Sequence, residues 1–213
     1  ERLGRFPPVV RTLLARFAAL GASVRLSTLA LASSLPAGDV EWALEGAVAE
    51  GLLLRTEDGY RFLHDRVQEG SYALVPEAER GALHLDIARA LHRGFGADLS
   101  GEQLFEVVGQ YERCHSLLKD HGEREEVAAL HLTAGHRARA ASAHGSALAY
   151  VLDGLSLLDD DRWERQHRLS FALEHLRAEC EFLKGDLAQA EQRLLDLMGR
   201  AESSADRAAI TAL

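Results

Sequence analysis

Residues 52–64 read Leu52-Leu53-Leu54-Arg55-Thr56-Glu57-Asp58-Gly59-Tyr60-Arg61-Phe62-Leu63-His64. Here the apolar period drops from helical to strand-like. Residues 52–56 and 60–64 predict two short strands, and Asp58-Gly59 between them is a tight-turn signal. The stretch just before it is helical. Pro36 opens a helix with Asp39 in its first turn, and Val40, Ala43, Leu44, Ala47 and Val48 form one apolar stripe ended by Gly51. Further upstream, Val10, Leu13, Leu14, Phe17 and Leu20 recur at helical spacing up to Gly21. Ser27 is placed to cap a short second helix through Ala32.

Three helices followed by a β-hairpin is the order of a winged helix. Such modules often bind DNA through the third helix, which then carries Arg, Lys, Asn or Gln toward base edges. Residues 36–50 instead carry Asp39, Glu41, Glu45 and Glu50 and no Lys or Arg, and the hairpin tip is Glu57-Asp58. Acids facing phosphates repel them, so no DNA binding is expected of this segment.

Downstream the pattern stays helical. Val67, Ser71 and Leu74 lead to Pro76. A helix over about 77–92 is predicted to bury Leu83, Ile87 and Leu91 and to break at Gly94 and Gly96. The next, over about 101–118, carries Leu104, Val107, Val108, Tyr111, Cys114 and Leu118 on one side, and a further helix covers about 123–141. The final third shows self-similarity. Residues 176–190 resemble a tetratricopeptide repeat, with Ala178 where two helices touch, Gly185-Asp186 at the turn and Ala190 where the second helix packs back. A poorer copy has Ala134 or Gly135, then Ala147, Val151 and Leu155. A bulky side chain at Ala147, Ala178 or Ala190 would push a helix pair apart. Ala147 and Ala190 lie 43 residues apart, longer than the usual spacing of about 34. The expected fold is therefore mainly α. It has a winged-helix module over 1–75, linking helices over 76–122 and antiparallel repeat-like helices over 123–213. A groove between such helices suits a protein or peptide partner; a plain helical scaffold is the bland alternative.

The bulk composition agrees. Hydrophobic residues make up 47% of 213, enough for a core, while aromatics are only 6%. The net charge of −9 supplies no general attraction for polyanions. Two distant cysteines, Cys114 and Cys180, form neither a disulfide framework nor a zinc motif and fit a reducing cytoplasm. No apolar run has the length of a membrane span. The chain starts without Met and ends inside a helical pattern, as a segment of a longer protein would. Ten histidines show no metal-ligand spacing, so no metal is expected. The two lysines, Lys119 and Lys184, follow no Gly-rich phosphate cradle, and no nucleophile motif is present, so catalysis by this segment is not expected. Asp159-Asp160-Asp161 before Trp163 read as a helix cap.

One segment carries more. Residues 62–69, Phe62-Leu63-His64-Asp65-Arg66-Val67-Gln68-Glu69, lead to Tyr72-Ala73-Leu74-Val75-Pro76 and Leu83-His84-Leu85. By composition alone His64 ends a strand and Asp65 caps the next helix. Together these residues resemble the region after the ATPase core of large bacterial signalling proteins of the STAND class of P-loop ATPases. Residues 104–110, Trp163-Glu164-Arg165 and residues 178–190 resemble the helices that follow. Many such proteins join a Ser/Thr-kinase domain, the AAA-type ATPase, helical repeats, a GAF domain and a two-component histidine kinase. In related NB-ARC proteins a winged helix ends in Met-His-Asp, whose His contacts the β-phosphate of ADP. The resemblance assigns that role to His64, supported by Asp65, with Leu63 in place of the Met. It implies ATP or ADP in the parent protein, no cofactor in this segment, and an upstream P-loop ATPase domain as partner. A large ATP-binding transcription regulator of the LuxR type is the alternative parent.

Overall fold

The computed structural model describes residues 3–213, which divide along the chain into two compact units, the first ending at Leu117 and the second starting at Leu118. Among the described residues there are twelve α-helices and one three-stranded antiparallel sheet, so the protein is mainly helical. No described helix is long and apolar enough to cross a membrane.

In the first unit, α1 (Pro8–Leu20) leads through β1 (Ser23–Arg25) into α2 (Leu26–Ser33) and α3 (Ala37–Ala49). The hairpin strands are β2 (Leu53–Arg55) and β3 (Gly59–Phe62), followed by α4 (Asp65–Tyr72), α5 (Glu77–Phe95) and α6 (Gly101–Tyr111). The sheet order is β1-β3-β2, with Val24 opposite Tyr60 and Leu54 opposite Arg61. The core joins Leu13, Leu14 and Phe17 of α1 with Leu29, Val40, Leu44, Leu53, Tyr60 and Phe62. The rings of Phe17 and Phe62 lie 4.3 Å apart between centroids.

Four local expectations change. The hairpin gains β1, a strand too short to show alternation. Arg25 precedes α2, whose first residue is Leu26, so Ser27 lies inside the helix and does not cap it. Helix α5 runs through Gly94 and stops only at Gly96, where φ is 78°. Gly94 serves packing: a Cβ there would sit 2.5 Å from Leu31 Cδ2 of α2. Helix α6 ends at Tyr111, and Cys114 and Leu118 are buried beyond it. Its start is strong, because Ser100 and Gln103 form a reciprocal capping box.

In the second unit, α7 (His121–Ala140) and α8 (His144–Ser156) form a hairpin. Then come the short α9 (Arg162–Arg165), α10 (His167–Lys184), α11 (Leu187–Met198) and α12 (Ser204–Thr211). Helix α10 packs on α8 and on α11. Small residues set the approach. A Cβ on Gly135 would lie 3.0 Å from Leu176 Cδ2 and 3.2 Å from Val151 Cγ2; one on Gly154 would lie 3.0 Å from Leu173 Cδ2. Ala147, Ala178 and Ala190 are all buried, and Gly185 ends α10 in the left-handed region at φ 89°. The acidic run does not cap α9: Asp161 holds the N-cap position without a side-chain bond. Asp159 instead accepts from His121 Nδ1 at 2.7 Å and pairs with Arg124 at 2.8 Å, both on α7.

Candidate functional site at the start of α4

Strand β3 delivers the chain to His64, which occupies the N-cap of α4 in extended conformation (φ −144°, ψ 143°). Its carbonyl accepts from the Val67 amide at 2.9 Å, which starts the helix. Its imidazole forms no side-chain cap and is exposed, as is Asp65. His64 is thus the cap residue, and Asp65 is the first residue of the helix, not its cap. A helix start favours anions nearby, through its unpaired amides and its dipole.

One face of α4, formed by Asp65, Gln68, Glu69 and Tyr72 at helical spacing, lines a cleft of about 450 Å³. Ala18, Ala19, His84 and Arg113 complete it. A buried polar chain holds α4 against this wall. The Gln110 amide donates through Nε2 to Ala19 O at 3.2 Å, so its oxygen faces His84 Nδ1 at 2.7 Å. That oxygen only accepts, so Nδ1 carries the proton and Nε2 accepts from the Tyr72 hydroxyl at 2.8 Å. His84 is 2% exposed, and burial holds its pKa below the ordinary 6.5 although the Gln110 bond opposes this. His84 is therefore a satisfied core histidine.

Two consequences are measurable. Tyr72→Phe leaves the Nε2 lone pair without a donor and is expected to cost about 1–2 kcal/mol in urea unfolding. Acidification below 6.5 is expected to weaken the unit further, because the unfolded chain takes up the histidine proton before the folded one does. Sequence reasoning missed this chain. The available signal was Gln110, a lone amide within the apolar pattern Leu104, Val107, Val108, Tyr111.

The second unit holds another polar cluster that was not anticipated. Glu174, Arg177 and Glu181 share a face of α10. Arg193 of α11 reaches both acids, at 2.8 Å to Glu174 Oε2 and 2.8 Å to Glu181 Oε2. Arg177 adds a bond to Glu181 at 3.0 Å, and Arg162 adds one to Glu174 at 2.8 Å. Glu174 and Arg193 border a cleft of about 430 Å³ beside Trp163, whose ring Arg200 covers at 4.4 Å. Every guanidinium named in this ionic group already has a carboxylate, so the cluster is a structural clasp.

No protein-family model and no solved structure matches the chain. Among curated proteins it is similar to hybrid signal transduction histidine kinase G of Dictyostelium discoideum, with 25% identity over 177 residues. The match covers 72% of this chain but 5% of that relative, so the chain corresponds to a small part of its length.

Proposed function

We propose that this chain is a non-catalytic regulatory and interaction segment of a multidomain, ATP-dependent signal-transduction protein. In this reading the first unit is a winged helix that senses the nucleotide state of a P-loop ATPase module in the same polypeptide. The helices of the second unit, arranged as tetratricopeptide-like pairs, relay that state or bind a protein or peptide. The order helix, strand, helix, helix, hairpin supports the winged-helix assignment. The similarity to a hybrid histidine kinase supports the signalling setting.

The observation that carries the reading is the placement of His64. It stands exposed at the start of an eight-residue helix, where an imidazole N–H can donate to a phosphate oxygen supplied from outside this chain. A donor that meets one nucleotide state and not the other supplies the differential affinity a switch requires. His64→Ala in the full-length protein is expected to weaken ADP binding about tenfold, the loss of one hydrogen bond to a charged group. Titration calorimetry with ADP measures it. Unchanged ADP affinity together with unchanged basal output would leave a helical scaffold without a switch.

A further inference from the structure

Helix α3 buries Val40, Ala43, Leu44 and Ala47 and turns its other side outward. That outer side carries Trp42, whose relative exposure is 76%, greater than that of any other large hydrophobic residue described. Trp42 is not crowded by its helical neighbours. One turn away on either side are Gly38 and Asp39, then Glu45 and Gly46, all exposed. The indole is therefore a large apolar plate standing clear of a low, acidic surface. Leaving such a plate in water forgoes the burial that usually decides where tryptophan sits.

The charge along this stretch of chain is one-sided. Residues 36–58 contain Asp39, Glu41, Glu45, Glu50, Glu57 and Asp58 against a single base, Arg55, which is ion-paired with Glu41. Tyr60, buried beneath, has its pKa raised mainly by burial, opposed by Arg55 and then reinforced by Glu41 and Glu45, so these acids gather at the hairpin side of the helix. An exposed tryptophan flanked along its helix by acids has the make-up of an interface anchor with a polar rim. The rim selects a cationic partner and repels nucleic acid.

We propose that the outer face of α3 docks a basic protein segment, with Trp42 inserted into an apolar notch between Lys or Arg side chains and Asp39 and Glu45 pairing with them. This surface is separate from His64 and stands whether or not that residue meets a nucleotide.

The test uses the 213-residue chain with Trp163→Phe, which leaves Trp42 as the sole indole. The probes are a synthetic amphipathic peptide of Lys and Leu, the same peptide with Ser for Leu, and a Glu/Leu counterpart. The Lys/Leu peptide is expected to shift Trp42 emission to the blue and, carrying a fluorescein label whose anisotropy reads binding to every variant, to bind at least tenfold more weakly to Trp42→Ala and to an Asp39→Lys/Glu45→Lys variant. Glu191→Lys, a charge change of the same kind on α11, is expected to stay within twofold. Because Trp42 is exposed, circular dichroism of Trp42→Ala should match the parent. Equal binding by Trp42→Ala and the parent, or equal binding of the Lys/Ser peptide, would overturn the proposal and reduce the surface to plain charge.

Discussion

Gly59→Ala is expected to destabilise the first unit by about 3 kcal/mol, the upper range for forced overpacking. A Cβ at position 59 would lie 2.1 Å from Val24 O, 2.7 Å from Arg25 Cα and 2.8 Å from Leu26 N. All three are backbone atoms, so no rotamer change relieves the clash. Gly59 pairs with Arg25 in the sheet, and next to it Leu26 N donates to Asp58 O at 2.9 Å. Relief therefore means parting β1 from β3 and lifting the start of α2. Gly51 is the control: its φ is 70°, and a Cβ there meets nothing within 4 Å. Gly51→Asn should thus be nearly neutral, since Asn tolerates the left-handed region, whereas Gly59→Asn should be as harmful as alanine. Urea unfolding followed by circular dichroism compares the four proteins. An unchanged midpoint for Gly59→Ala would show that β1 is not held as described.

The second unit should be most sensitive at Arg193. Glu181 is 3% exposed and Glu174 7%, and Arg193 joins them. Arg193→Met keeps the length of the side chain but removes the cation shared by two buried carboxylates, leaving Glu174 to Arg162 and Glu181 to Arg177; losing such a charge-assisted partner is expected to cost about 3 kcal/mol. Trp163 lines the same cleft as Arg193 and so reports the unfolding of this unit by its emission. Acid supplies an independent check. Burial alone would push the Glu181 carboxyl up, but Arg193 and Arg177 override it and hold it below the ordinary 4.5. The stability this lends to the parent is present above pH 4.5 and lost as pH falls through the lowered value. Without Arg193 only Arg177 opposes burial at Glu181, so less of the variant's stability depends on the ionised carboxylate and less is lost on protonation. The deficit of Arg193→Met should therefore shrink between pH 7 and pH 4. A deficit that is constant with pH would assign the loss to packing and remove the ionic explanation.

Much of the helical organisation was visible in residue order. The stripe Val40, Ala43, Leu44, Ala47 appears as the buried side of α3, and the drop in period at Leu52 marks the hairpin. Gly59 shows where such reading misleads. Beside Asp58 it reads as a residue chosen for turn geometry, yet it is absent from the positive-φ glycines and is required by the backbone of β1. Gly94 is similar: it reads as a helix breaker, but it lies within α5 and makes room for Leu31.

Hydrophobic period is a property of neighbours along the chain, so composition and spacing alone establish that this protein is mainly helical, with one small β element and an acidic third helix. Contacts between remote residues obey no such period. Gln110 meets Ala19 across 91 positions, and Arg193 reaches Glu174 and Glu181 from another helix. The polar chain behind α4, the ionic clasp of the second unit and the exposure of Trp42 arise only when helices pack, because burial and pairing depend on which faces meet in three dimensions.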